Sequence, residues 1–225
     1  AGVRCYLMMP RIFRKEAEQY FRKQMELLTS AGFDALGIGS MEEPGFLREA
    51  GIELPMYFDQ GMYSWNHLAG AAMERYGADR LTIPVELNER EIRDSGVQGE
   101  MIVYGYLPMM ISAQCIRKTT LGCSGKSEIM WLKDRKDMRF PVVNQCRFCY
   151  NTIYNSAPLS LLGLSEQVTG LKPNAVRLNF TVEEPAAAGE ILDAFFEEYG
   201  MSEKAAEPPV LRNQFTRGHF KRGVE

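Results

Sequence analysis

The sequence predicts an α/β fold of repeated βα units, and three observations carry that reading. Short apolar runs rich in β-branched and aromatic residues alternate with helical stretches. The segment GFDALGI at 32–38 returns as GADRLTI at 77–83, 45 residues later, each time behind a helical stretch that ends on glycine. Six such runs in all suit a parallel sheet, whose right-handed crossovers would curl it into a TIM-barrel-like arrangement.

Taken in order, VRCYLMM is the first strand. The helix RKEAEQYFRKQMELLTSAG sets Ala17, Phe21, Met25 and Leu28 on one face and stops at Gly32, ahead of GFDALGI. PMYFDQG is the third strand, and the helix NHLAGAAMERYG ends at Gly77 before GADRLTI. After LTIPVEL, Asn88 followed by Glu91 reads as a capping box that opens a short helix. EMIVYGYL and AVRLNF are the last strands, and the helix AAAGEILDAFFEEYG stops at Gly200. A closed barrel needs eight units, so the expectation is a partial or truncated barrel forming one domain over 1–225, with a cysteine-rich loop segment inserted at 108–170. Its open sheet edge would be paired in a homodimer or covered by a partner that completes the barrel.

A chain of 25.5 kDa with 45% hydrophobic residues can bury a core of that size. No apolar run approaches the roughly 20 residues of a membrane span. The opening AGVRCYLMMP lacks the basic segment and apolar core of a secretory leader. The expectation is a soluble, cytoplasmic chain with no membrane partner. Its net charge of -3 is unevenly spread: from Cys115 to Cys149 eight Lys or Arg stand against three acids. A second basic cluster closes the chain in FTRGHFKRGVE. Such runs are ordinarily solvated surface; read functionally, they would contact RNA or an anionic small molecule.

Cys115, Cys123, Cys146 and Cys149 fall within 35 residues, the last two as a C-x-x-C pair, while Cys5 lies apart. Structural disulfides suit neither the odd count nor the expected compartment. Buried core thiols suit the flanks Arg117, Lys118, Gly122, Ser124, Gly125 and Lys126 poorly. What is left is a shared soft-metal site. Structural zinc ordinarily takes two closely spaced cysteine pairs, and only one is present, so the spacing leans to an iron–sulfur cluster and leaves zinc open.

Three stretches then carry a family likeness: EMIVYGYLPMMISAQC, WLKDRKDMRFPVVNQCRFCYNTIYNS and FTRGHFKRGV. Through them the chain resembles the collagenase-like peptidase family, the thirty-second of the peptidase families of unknown mechanism. The family pattern runs Glu, a hydrophobic strand, Gly, a small residue, Leu, Cys and a second Cys seven positions on; Glu100, Gly105, Leu107 and Cys115 match it. Tyr106 replaces the small residue and Pro108 stands where the first cysteine would be. The resemblance implies a TIM-barrel-like domain. Some members look like iron–sulfur proteins with four cysteine ligands that hydroxylate ring or nucleic-acid substrates without oxygen. On that likeness the ligands of a 4Fe-4S cluster would be Cys115, Cys146, Cys149 and, in place of the residue lost at 108, Cys123.

The peptidase name itself finds little support in the residues. His67 and His219 are the only histidines and neither lies in H-E-x-x-H, and no G-x-S-x-G elbow occurs. A true peptidase acting on peptides and a zinc-stapled, non-enzymatic RNA-binding module stay as alternatives. Glu86 and Glu100, at strand ends, are the candidate acid or base, against the commoner role of structural ion pairs. Asp59, Asn66, Tyr104, Arg177, Arg217 and His219 are candidate substrate-binding residues, although Asn66 reads equally as a helix cap and Tyr104 as strand packing.

Overall fold

In a computed structural model, which describes residues 2–201 and 214–224, the chain is mixed α/β. It separates into two compact units, Ala1–Pro84 with Ile92–Glu100 and Val85–Glu91 with Met101–Glu225.

The first unit carries the βα repeats: β1 (Tyr6–Met8), α1 (Lys15–Lys23), α2 (Met25–Ser30), β2 (Ala35–Ile38), α3 (Glu42–Glu49), β3 (Met56–Phe58), α4 (His67–Tyr76) and β4 (Arg80–Leu81). The strands form one parallel sheet in sequence order β1-β2-β3-β4. Leu36, Ile38 and Phe58 are buried in it, and Ala17, Phe21 and Leu28 are buried along the helical face expected of them. The single long helix expected there breaks in two at Gln24, whose amide is shared between the Tyr20 and Phe21 carbonyls.

The 45-residue repeat has a structural cause. Gly32 and Gly77 close the preceding helical segments with φ of +73° and +112°, a conformation that favours glycine. Two residues later Asp34 Oδ2 accepts from the Cys5 amide at 2.7 Å, while the Asp34 amide donates to the Cys5 carbonyl at 2.8 Å. Asp79 repeats this on Met56, at 2.7 and 2.9 Å. Each aspartate thus fixes where a parallel strand begins against its neighbour, a job that a one-residue slip would destroy.

Next come α5 (Glu89–Ser95) and β5 (Glu100–Gly105). The expected capping box opens α5: the Asn88 amide donates to Glu91 Oε2 at 2.8 Å and the Glu91 amide to Asn88 Oδ1 at 2.9 Å.

The second unit holds β6 (Pro108–Ser112), α6 (Ile116–Thr120), β7 (Ile129–Lys133), β8 (Arg139–Gln145), β9 (Tyr150–Tyr154), β10 (Leu159–Ser160), α7 (Ser165–Gly170), β11 (Ala175–Asn179) and α8 (Pro185–Glu198). β11 is the expected AVRLNF strand, and the other five strands, β6 to β10, fall in the segment expected to be an inserted loop. The segment 108–170 is not a loop: β6, β9, β8 and β7 form an antiparallel sheet in that order, a Greek key in which the meander β7-β8-β9 returns beside β6. Its strands alternate exposure, as in the exposed, half-buried pattern of IMWLK, too briefly to stand out from the turns around them. β5 lies between β10, antiparallel to it, and β11.

No closed barrel is formed among the described residues. The parallel order stops at β4, extended only by a bridge from Thr82 to Glu100, and β5 takes an antiparallel neighbour in β10 where a barrel would need a parallel one. No helix among the described residues is long and apolar enough to cross a membrane.

Replacing Asp79 with Ala removes a carboxylate hydrogen bond at the start of β4 and is expected to cost roughly 1–2 kcal/mol, read by urea unfolding; Asp34→Ala should cost a similar amount, and no loss in either would detach the repeat from strand placement.

Candidate functional site

Antiparallel pairing decides where the four cysteines go. Gln145 pairs with Tyr150, so the C-x-x-C segment, Cys146 to Cys149, is the tight turn between β8 and β9. The Phe148 amide closes it on the Gln145 carbonyl at 3.2 Å, and Cys149 takes a left-handed φ of +55°. Ser112, the last residue of β6, pairs with Asn151, and Ile129, the first of β7, pairs with Val143. The exit of β6 and the entrance of β7 therefore lie at the same end of the sheet as the turn. The connection 113–128, which carries Cys115 and Cys123, has to run from one edge to the other across that end.

Hydrogen bonds tie both arms of this connection down, one from a buried asparagine and the other at the surface. Asn151, fully buried, donates from Nδ2 to the Gln114 carbonyl at 2.8 Å, next to Cys115. On the other arm the Cys146 amide donates to Ser127 Oγ at 3.3 Å and Cys146 Sγ lies 2.9 Å from the Lys126 carbonyl. Cys115 caps α6, its Sγ accepting from the Lys118 amide at 3.4 Å. All four thiols are free of disulfides. The Cys146 thiol is pushed up by burial first, then by the charges that Cys115, Cys123, Cys149 and Glu128 would carry. Charging all four thiols together is unfavourable without a cation among them, which is the electrostatic setting of a thiolate metal site. As arranged here the thiols do not enclose an ion: among the described residues no group of three or more His, Cys, Asp or Glu stands where it could hold a metal. The donor set suits a soft metal; its arms would have to close around one.

The basic character of this segment is divided by the fold. Arg117, Lys118, Lys126 and Arg147 stand towards the thiol end, whereas Lys133, Arg135, Lys136 and Arg139 surround the opposite turn between β7 and β8. Arg117 is paired with Glu128, and Lys133 with Asp137 at 2.6 Å. Pro108 pairs with Tyr154 at the far end of β6, four residues from Ser112, or about 13 Å along a strand.

The remaining candidates are scattered. Glu86 lies in a turn after β4, half-buried, and Glu100 opens β5, its carbonyl accepting from the Ile83 amide at 2.8 Å. Asp59, at the end of β3, is buried beside Arg11 at 3.6 Å. Asn66 caps α4, accepting from the Ala69 amide at 3.0 Å. Arg177 sits mid-β11, half-buried. Arg217 donates from Nη1 to the carbonyls of Ser160 and Leu162, at 2.8 and 2.6 Å, and His219 Nδ1 meets the Gly223 carbonyl at 2.8 Å. The last two hold the end of the chain in place.

Tyr104 lines a cavity. It shares a space of about 250 Å³ in the second unit with Tyr106, Trp131 and Glu183. In the first unit, sequence reasoning also missed the polar groups at the carboxyl ends of the parallel strands. Arg11 runs across Gly39 and Gly61, where any Cβ would crowd its side chain, to reach Asp59. Glu43 is fully buried; its Oε2 accepts from the amides of Gly39 at 2.7 Å and Ser40 at 3.3 Å, and its Oε1 is buried without a hydrogen-bond partner. Burial pushes its carboxyl up to about 8. Nothing in SMEEPG distinguishes Glu43 from its exposed neighbour Glu42 except the helical face each falls on.

Fold and site together describe a mixed α/β protein, with a parallel βα sheet in one unit and a thiol-bearing Greek-key sheet in the other. Residues 1–190 match the family model of Peptidase family U32, and the chain belongs to that family. No curated protein and no solved structure matches it.

Glu43 sets a pH dependence with a definite sign. The folded carboxyl, at about 8, keeps a proton that the unfolded chain releases near 4.5. Its stabilising contribution is complete below about 4.5 and is lost as pH rises through about 8, with a slope of at most about 1.4 kcal/mol per pH unit for one proton. Glu43→Gln should lose that slope and gain stability over wild type at high pH, measured by urea unfolding across the range; an unchanged slope would show that the proton is held elsewhere.

Proposed function

We propose that this chain is an enzyme of Peptidase family U32 whose cysteines Cys115, Cys123, Cys146 and Cys149 hold an iron–sulfur cluster of the 4Fe-4S type, and that it modifies an RNA or small-molecule substrate rather than cleaving peptides. The observation that carries this reading is the delivery of all four thiols to one end of the Greek-key sheet, where each of the other three raises the pKa of Cys146. A cluster bound there would supply one-electron chemistry. The chain's own part is to fix the turn between β8 and β9, to anchor the arm beside Cys115 through Asn151, and to anchor the other through Ser127 and Lys126. Lys118, Lys126 and Arg147, at the same end, suit an anionic substrate.

Zinc is the other soft metal that four thiolates accept. Cys123 supports the cluster reading over a second ligand at position 108, because Pro108 starts β6 at the end of the sheet remote from the turn. The four parallel strands β1 to β4, with helices between them, support a further reading of the first unit as part of a βα barrel.

The test is purification under argon followed by iron, acid-labile sulfide and zinc analysis with visible spectra. Four irons per chain and a brown colour are expected, with most of the iron lost in Cys146→Ser and also in Cys123→Ser. Colourless protein with one zinc would replace the cluster by a zinc site. Colourless, metal-free protein that hydrolyses peptides would overturn the proposal altogether.

A further inference from the structure

The cavity at the carboxyl end of β5 has a composition unlike that of an anion site. Its walls include the rings of Tyr104, Tyr106, Trp131 and Phe215, and its polar lining is the three carboxylates Glu183, Glu184 and Glu190. Among the described residues, no Lys, Arg or His lines it. Arg217 stacks on the Phe215 ring at 4.7 Å, but its Nη1 is held by the Ser160 and Leu162 carbonyls.

Acids beside the start of α8 have an ordinary explanation, since the positive end of a helix favours them. That explanation does not account for Glu190 or for the fixed placement of Glu183. Glu184 occupies the cap position yet makes no capping hydrogen bond, and Glu190 lies more than a turn into the helix. Glu183 Oε2 accepts from the amides of Thr181 and Val182 at 2.6 and 3.0 Å, which fixes the carboxylate rigidly. Its Oε1 is buried with no hydrogen-bond partner. Tyr104 shares a side-chain hydrogen bond with this carboxylate; Oε1, buried and held in place, costs free energy unless something donates to it. The phenols of Tyr104 and Tyr106 are both pushed up, by burial first and then by the Glu183 charge, so the negative field reaches across the cavity. Electron-rich ring faces beside one fixed carboxylate, Glu183, and two exposed ones, Glu184 and Glu190, attract an organic cation and repel phosphate or carboxylate.

We infer that this cavity binds an organic ammonium group, with the faces of Trp131 and Tyr106 around the cation and Glu183 facing its charge. At about 250 Å³ the space suits a small amine or a lysine side chain rather than a drug-sized ligand. The inference stands on the second unit's cavity and is independent of whether the cysteines hold a cluster.

Trp65 is the other tryptophan, so a Trp65→Phe chain leaves Trp131 as the reporter. Choline and its neutral isostere 3,3-dimethylbutan-1-ol are titrated against that chain by fluorescence at low salt. Choline should bind saturably and at least about tenfold more tightly than the isostere, and Glu183→Gln should weaken choline by roughly tenfold while leaving the isostere unchanged. Should Glu183→Gln lower the melting temperature strongly, Glu190→Gln provides the same comparison with a smaller shift in the same direction. Tighter binding of Nα-acetyl-lysine amide than of choline would place a primary ammonium such as a lysine side chain in the cavity, and the reverse order a quaternary ammonium; either supports the site. Equal binding of choline and isostere, cytidine bound as tightly as choline, or no saturable binding of any amine would overturn it.

Discussion

The register of the hairpin β8-β9 is the constraint on which the thiol site depends. Gln145 opposite Tyr150 leaves a four-residue turn, and that turn is the C-x-x-C pair. Asn144 and Asn151 face each other just inside it, both fully buried, and Asn151 reaches on to the Gln114 carbonyl. A slip of one residue would turn both asparagines to the opposite face and release the arm that carries Cys115. The Greek-key order supplies the rest: β6 and β7 occupy opposite edges, so 113–128 must cross the end where the turn lies. Two cysteines are placed by a turn and two by a crossing that the strand order makes unavoidable.

The first unit depends on a different device, repeated twice. Asp34 and Asp79 clasp the backbone at the start of the preceding strand, and Gly32 and Gly77 bring the chain there from a helix. This is why GFDALGI and GADRLTI look alike: the glycine and aspartate are fixed by backbone geometry, and the apolar positions by burial. The repeat, the helix face of Ala17, Phe21 and Leu28, and the capping box at Asn88 were therefore all legible in the sequence, because each is a local pattern with a local cause. The Greek-key sheet was not. Its strands are short, exposed along the β7 edge and defined by pairings between residues far apart, so their pattern merged with the turns. The barrel expectation went beyond its evidence for a related reason, since strand count does not reveal that β5 will take an antiparallel neighbour.

The candidate site was legible in part. Cysteine spacing announced a donor set, and the resemblance to the peptidase family led to the family that residues 1–190 match. Glu43, Glu183 and Trp131 carried no comparable signal, because their interest lies in burial and neighbours. In sequence the two basic clusters read as solvated surface or as contacts for RNA or an anion; folding splits the first between the two ends of a sheet, while Arg217 and His219 of the second hold backbone carbonyls. The cavity beside β5 has the opposite electrostatic character to the cysteine-bearing segment. Thiols with nearby lysines and an acidic, aromatic cavity thus lie in one unit as two chemically distinct places.

The central claim is that Cys115, Cys123, Cys146 and Cys149 act as one donor set. Cobalt(II) titration of the reduced chain under argon measures this directly, because the intensity of sulfur-to-cobalt charge-transfer absorption follows the number of thiolates bound. One cobalt per chain with the intensity of four thiolates is predicted, falling to that of three in each single Cys→Ser variant. An intensity of only two thiolates, unchanged by replacing Cys115 or Cys123, would show that the turn binds alone and would contradict the account.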